Sequence, residues 1–300
     1  MTQTVSRELE DWFQLNVSRG CRTEQLHQSL IEAGYPADFV GSFLSERSRG
    51  LPGIDAPGPG TDSDATMLSV ASPSAEAALD AWWTRFAELS RLNHVNLGDR
   101  TAVIAGRQLA NGILYLRDLL SADECDTLVA DAERRIEGST VVDPETGRFV
   151  PDPRRSSMGT YFERAANPVV AAVEQRLAVL SGLPEVNGEG LQILFYQVGG
   201  EYRPHFDYFD PANPGYAAQL GHGGQRLLTI ILYLNDVEGG GGTIFPELGL
   251  EFLPAKGAAL MFASLDREGA LQPKSLHGGN PVTAGQKWIA TRWIRLGAYC

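Results

Sequence analysis

Residues 188–210 read GEGLQILFYQVGGEYRPHFDYFD: an apolar run, a Val-Gly-Gly break, and a second run closing on aromatic and ionisable side chains. Aromatic and β-branched residues bounded by glycines read as strands joined by a turn. In the second run, His205 and Asp207 are two residues apart. Side chains at that spacing share one face of an extended strand, so an imidazole and a carboxylate can converge on one point. That pair is two-thirds of a facial metal site, and the missing ligand would be a second histidine further on.

Outward from this stretch the texture continues. RLLTIILYL (226–234), GTIFPEL (242–248), GAALMFAS (257–264), KSLHGGNPV (274–282) and QKWIATRWIRL (286–296) are short strand-like runs set between Gly, Pro and Asn turns. Such spacing implies a sandwich or barrel rather than a parallel sheet. Helical periodicity lies upstream. Leu9, Trp12, Phe13 and Val17 recur at helical spacing, as do Leu26, Leu30 and Ile31 after Thr23 as N-cap; Gly34 reads as a stop, and residues 37–44 as a third short helix. Further helices are expected over residues 75–92, around Trp82 and Trp83, over 122–136, where Ser121 and Glu124 have capping-box spacing, and over 167–180. With the helices ahead of the strands, the class is α+β, a β core with flanking helices. Residues 140–162, with Arg154, Arg155, Ser156 and Ser157 in a row, read as a polar, turn-rich loop, either solvated or standing beside a site.

Three units are expected: a small helical module over 1–48, a flexible Pro/Gly/Asp linker over 49–74, and a main domain over 75–300. The module reads as helices packing on themselves or on a neighbour; docking of a partner protein is the functional alternative.

Composition narrows the classes. With 43% hydrophobic and 21% charged residues the chain can bury a sizeable core, and a net charge of −12 argues against a general affinity for nucleic acid or anionic membrane. No run reaches the length of a membrane span, and MTQTVSRELEDWFQL lacks the pattern of a secretory signal. Cys21, Cys125 and Cys300 are too far apart for a metal knuckle and odd in number, so the expectation is a cytoplasmic protein with reduced thiols.

Five histidines compete for the third ligand position. His27 and His94 belong to the helical half, and His222 sits on a glycine-rich connection that would orient it poorly. His277, on a strand before a turn, is the best choice, completing a two-His-one-carboxylate set of the kind that non-haem Fe(II) oxygenases use, with open positions left on the metal. On the last strand Lys287, Ile289, Thr291, Trp293 and Arg295 share a face. If that face is inward, the Lys287 ammonium needs an anion, which a dicarboxylate chelating the metal at its other end would provide. An edge-strand lysine in solvent is the alternative.

The blocks 188–210, GGQRLLTIILYLNDVEGGGGTIFPELG (223–249) and SLHGGNPVTAGQKWIATRWI (275–294) resemble the prolyl 4-hydroxylase family of Fe(II)/2-oxoglutarate dioxygenases. The likeness runs from about residue 113 to 294 and includes SADECDTLV, STVVDPETG and RRSSMGTYF. It implies a double-stranded β-helix (jelly-roll) core. It implies His205, Asp207 and His277 as iron ligands, Lys287 on the far carboxylate of 2-oxoglutarate, and Tyr196 and Thr243 as further co-substrate donors. Glu189, Tyr202, Arg226 and Trp293 match positions lining the family's peptide groove. Fe(II), 2-oxoglutarate, O2 and ascorbate as reductant are the implied cofactors, and a proline-containing peptide or protein the substrate, with succinate and CO2 released. Arg295 departs from the pattern, standing where the family often has a histidine. The Gly239–Gly242 run is no phosphate cradle, since a strand-like segment rather than a helix follows it. Rival readings are the same chemistry on a free amino acid, a lysyl residue or a small biosynthetic intermediate, and a catalytically silent peptide-binding module.

Overall fold

The computed structural model describes Val5 and residues 7–18, 23–32, 35–47, 73–151 and 154–299. The helices are α1 (Arg7–Ser18), α2 (Thr23–Glu32), α3 (Ala37–Arg47), α4 (Pro73–Leu89), α5 (Ala122–Glu133), α6 (Pro168–Ser181) and α7 (Ala217–Gly221). The strands before α6 are β1 (His94–Asn96), β2 (Thr101–Gln108), β3 (Ile113–Arg117), β4 (Glu137–Gly138), β5 (Thr140–Val142), β6 (Phe149–Pro151) and β7 (Met158–Phe162). After it come β8 (Leu191–Tyr196), β9 (Tyr202–His205), β10 (Arg226–Tyr233), β11 (Gly239–Gly240), β12 (Thr243–Phe245) and β13 (Leu250–Phe252). The last are β14 (Ala259–Ala263), β15 (His277–Gly279), β16 (Val282–Ala284) and β17 (Lys287–Arg295).

Among the described residues a large antiparallel sheet has the order β1-β2-β3-β14-β10-β17-β8-β7-β4, and a smaller one the order β13-β12-β15-β9. Side-chain alternation on the central strands explains the two layers of core. Leu228, Ile230 and Leu232 of β10, with Trp288, Ala290 and Ile294 of β17, join a cluster with Trp82 and Phe86 of α4, Leu128 of α5 and Leu177 of α6. The alternate residues Ile231, Tyr233 and Ile289 join Tyr196, Phe245 and Val282 on the side of the small sheet. Both faces of the large sheet are therefore covered, which is why RLLTIILYL is apolar throughout instead of alternating with polar residues. This two-sheet core is the jelly roll, and its flanking helices lie against one face.

Local chemistry sets the helix ends. Ser121 and Glu124 form a reciprocal capping box on α5, and the Asn167 side chain accepts from Val170 N at the start of α6. The buried Arg292 of β17 donates to Glu174 of α6 at 2.5 Å, locking that helix to the sheet.

Four expectations change. Thr23 is the first residue of α2 rather than its cap, and its buried hydroxyl meets no partner among the described residues. The polar stretch after residue 139 folds into a hairpin, β5 with β6, because Asp143 holds the turn through the Thr146 amide and hydroxyl. The helices do not all precede the strands: α5 lies between β3 and β4, α6 between β7 and β8, and the short α7 between β9 and β10. β9 stops at His205 instead of running on to Phe209. Residues 48–72, which hold most of the expected linker, and Gly34 lie outside the described residues. Helices α1–α3 pack through Leu9, Phe13, Leu26, Leu30, Val40, Phe43 and Leu44.

Candidate metal centre and co-substrate pocket

β9 and β15 run antiparallel with His205 opposite His277, so the small sheet itself sets two imidazoles side by side, ring centroids 4.4 Å apart. His205 Nδ1 lies 2.9 Å from the Arg203 carbonyl and His277 Nδ1 2.9 Å from the Ser275 carbonyl. A carbonyl only accepts, so each Nδ1 carries the proton and each Nε2 presents a lone pair. Asp207 completes the group, with Oδ1 3.6 Å from His205 Nε2 and Oδ2 3.4 Å from His277 Nε2. Each residue offers a ligand atom within 4.8 Å of the others. Two donors at right angles, each about 2.1 Å from one ion, lie roughly 3 Å apart, so a small contraction would close this set on a divalent cation.

The electrostatics suit that role. Burial, aided by the neighbouring His205, lowers the His277 imidazole to about 4, so it is a neutral ligand at physiological pH. Burial alone would raise the Asp207 carboxyl; the two imidazoles and Arg226 outweigh it and hold the group well below the usual carboxylate range.

Lys287 begins β17, which lies between β10 and β8, so it is no edge lysine; it is 3% exposed. Among the described residues no carboxylate pairs with it and no acceptor takes its protons. Burial alone lowers its ammonium to about 8. Its stem passes Gly241, at positive φ, where an added Cβ would stand 3.3 Å from Lys287 Cδ, so that glycine leaves room for the side chain. An unpaired buried cation in a cleft asks for an anion. Tyr196 and Thr243 are buried beside it in the same cleft, and Tyr233 donates to Thr243 Oγ1 at 2.9 Å, leaving the threonine proton free for a carboxylate. Burial raises the Tyr196 phenol, so it remains a donor. The donor set therefore fits an Fe(II) ion and a chelating dicarboxylate.

The cleft, about 740 Å³, is lined by Tyr202, Arg226 and Trp293 as well as by the metal set. Tyr202 stacks on His205 at 3.6 Å, and the Arg226 guanidinium lies 3.8 Å over Trp293. Glu189 does not line the cleft. It lies behind Arg226, accepting from Arg226 Nε at 2.6 Å and Nη2 at 2.8 Å, and from Arg295 Nε at 2.6 Å. Burial would raise the Glu189 carboxyl, but the two guanidiniums hold it below its usual range. Arg295 is fully buried and also donates to the Gln219 and Gly224 carbonyls. The departure at Arg295 thus faces the protein interior. His222 packs near Tyr299, away from the metal set.

Sequence reasoning missed Thr229 and Tyr233, and reads the Arg154–Arg155 stretch as a loop either solvated or beside a site. Thr229 and Tyr233 sit in an apolar strand and read as core. Arg155, in the RRSS run, reaches the cleft, lies 5.0 Å over Tyr202 and donates to Ser157. A charged pair amid a turn-rich segment was its only signal.

Residues 191–295 match the family model of the 2OG-Fe(II) oxygenase superfamily. The chain is 39% identical over 202 residues to probable prolyl 4-hydroxylase 3 of Arabidopsis thaliana, covering 61% of this chain and 68% of that protein. It is 41% identical over 200 residues to prolyl 4-hydroxylase 1 of the same plant, with the same coverage. A solved structure of a viral collagen prolyl hydroxylase from Paramecium bursaria Chlorella virus-1, in complex with 2OG, matches with 30% identity and a TM-score of 0.48, over 61% of this chain and 95% of that one.

Proposed function

Because this chain belongs to the prolyl 4-hydroxylase family of Fe(II)- and 2-oxoglutarate-dependent oxygenases, we propose that it hydroxylates C4 of proline within a peptide or protein. The observation that carries the reading is Lys287, a buried ammonium with no anion paired to it among the described residues, in the same cleft as His205, Asp207 and His277. The cleft is lined by Tyr202, Trp293 and Arg226 beside the metal set, and aromatic rings with a guanidinium suit a chain with stiff proline rings and free carbonyls better than a free amino acid.

His205, Asp207 and His277 would hold the Fe(II) ion through two neutral nitrogens and one carboxylate. When bound, the ion with O2 and 2-oxoglutarate supplies the oxidising chemistry, releasing succinate and CO2 as one oxygen enters an unactivated C–H bond. The protein's own work is placement. Lys287, Tyr196 and Thr243 hold the far carboxylate of the co-substrate, and Tyr202, Arg226 and Trp293 orient the peptide over the metal. Glu189, with Arg295 behind it, fixes the Arg226 guanidinium in the wall of the groove. Tight placement of the target carbon lowers the barrier by removing the entropy of encounter.

The finer readings are ascorbate as reductant, a cytoplasmic location, and partner docking by the module over 1–48. The free buried thiol of Cys125 supports a reducing compartment. The separate apolar cluster of α1–α3 supports a self-contained module. A chain beginning near residue 73 that keeps full activity on the natural substrate removes the docking role.

The test is 2-oxoglutarate decarboxylation with a proline-rich peptide, followed by mass spectrometry of that peptide. Stimulated turnover with one oxygen added to a proline, abolished in His205→Ala, supports the reading. Stimulation by a small molecule and by no proline peptide overturns it.

A further inference from the structure

Asp207 lies beyond the end of its strand. β9 finishes at His205, whose ladder partner is His277, and the chain then bends through residues 207–208. On a continuous strand, alternation would aim the carboxylate; in a bend nothing in the backbone ladder does. Two donors from β10 reach across to it instead. Thr229 Oγ1 donates to Asp207 Oδ2 at 2.7 Å, and Arg226 Nη1 donates to the Asp207 carbonyl at 3.3 Å.

Thr229 is well placed for this. It sits in mid-strand, paired to β14 through Phe262 and to β17 through Trp293, so its backbone is held on both sides. It is fully buried, so its hydroxyl has no solvent to turn to, and its branched Cβ restricts χ1. On the large sheet it faces the cleft, between core residues Leu228 and Ile230 that face the helices. Between Arg226 at the start of the strand and Tyr233 at its end, Thr229 is the polar side chain in an apolar run.

We propose that Thr229 is a positioning residue of the metal centre. Its hydroxyl occupies a lone pair of Asp207 Oδ2, fixes the plane of the carboxylate, and keeps Oδ1 toward the His205 ring. Arg226 anchors the backbone of the same residue, so one strand of the large sheet aims a ligand whose histidine partners belong to the small sheet. The inference rests on the reading of His205, Asp207 and His277 as the iron ligands.

The test measures metal binding, without turnover. Metal-free full-length protein is titrated with Mn(II), a redox-silent substitute for Fe(II), and free Mn(II) is followed by electron paramagnetic resonance. Thr229→Val keeps the shape and removes the hydroxyl; Thr229→Ser keeps the hydroxyl and removes a methyl. Valine is expected to weaken Mn(II) binding about 10- to 100-fold, the usual loss when a group orienting a metal ligand is removed, with serine close to wild type. Removing a donor to a buried carboxylate is expected to lower the unfolding temperature of the metal-free valine variant as well, so Ile230→Ala, on the helix-facing side of the same strand, serves as the stability control and is expected to unfold at least as early while keeping wild-type Mn(II) affinity. A purely structural role would make metal affinity follow stability, and that result overturns the proposal, as does wild-type Mn(II) affinity in the valine variant. Should the valine variant fail to fold, Thr229→Ala is compared with Thr229→Ser, and equal affinities overturn it. A wild-type chain that takes up no Mn(II), or binds it as well after His205→Ala, instead removes the metal-site reading itself.

Discussion

Lys287 and Tyr196 stand directly opposite each other across the β17–β8 ladder, and the ammonium lies 5.3 Å from the centre of the phenol ring. A ring face offers the cation a modest attraction but no counter-charge. Among the described residues no carboxylate neutralises this cation, so its energetics respond to any anion bound in the cleft.

The first prediction follows from the Lys287 value of about 8, below the 10.5 of a free lysine. The unfolded chain holds a proton that the folded, ligand-free protein has lost between these two values, so stability rises with pH through that window. 2-Oxoglutarate favours the charged ammonium, so its affinity falls as pH rises through about 8. Calorimetric titration of Mn(II)-loaded protein at pH 7 and pH 9 checks this, and an affinity independent of pH counts against Lys287 as the anchor.

Lys287→Met separates binding from stability. Losing the ammonium is expected to weaken 2-oxoglutarate binding by about 3 kcal/mol, roughly 100-fold, the range for a charge pair taken out of water. The ligand-free variant should unfold at a higher temperature than wild type, because an uncompensated buried charge has been replaced by an apolar chain. A lower unfolding temperature would show that Lys287 has a counter-ion within the protein.

Glu189 accepts from two buried guanidiniums, so Glu189→Gln leaves positive charge under-compensated at Arg226 and Arg295. We expect a loss of about 3 kcal/mol in denaturant unfolding. The KM for a proline-rich peptide should rise while 2-oxoglutarate affinity stays near wild type. Equal effects on both ligands would mean that Glu189 acts on the whole cleft instead of through Arg226.

Tyr233→Phe removes the donor that orients Thr243. One neutral hydrogen bond contributes about 1 kcal/mol, so the KM for 2-oxoglutarate should rise about 5-fold with little change in kcat. Thr243→Val, which removes the direct donor as well, should be the more severe. An unchanged KM in the phenylalanine variant would mean that Thr243 orients without help.

The readable parts of this protein are those where one strand does the positioning. Lys287, Ile289, Thr291 and Trp293 line the cleft as alternation along QKWIATRWIRL requires, and Ser121 with Glu124 caps α5 because that motif is local. Misreadings arose where a distant segment intervenes. Alternation placed His205 and Asp207 on one face, and they do converge, but Asp207 reaches the site from a bend under the hold of Thr229 and Arg226. The Glu189 position suggests a groove residue, yet Arg226 and Arg295 draw its carboxylate behind the groove wall. Thr23 looked like a cap because serine, threonine, aspartate and asparagine begin many helices; here the helix already includes it.

The sequence alone determined a β core of short strands, the H-x-D pair with a distant histidine, and a lysine sharing one face of the last strand with Thr291 and Trp293, with inward or solvent-facing left open. These follow from periodicity, which is a property of neighbouring residues. Tertiary structure decided what aims them. Thr229 in an apolar strand, Tyr233 behind Thr243, and Arg295 behind Glu189 act across gaps of 10 to 106 residues. Each lies in a run whose local pattern is satisfied by burial, so only the packing of strand on strand shows which acceptor it meets.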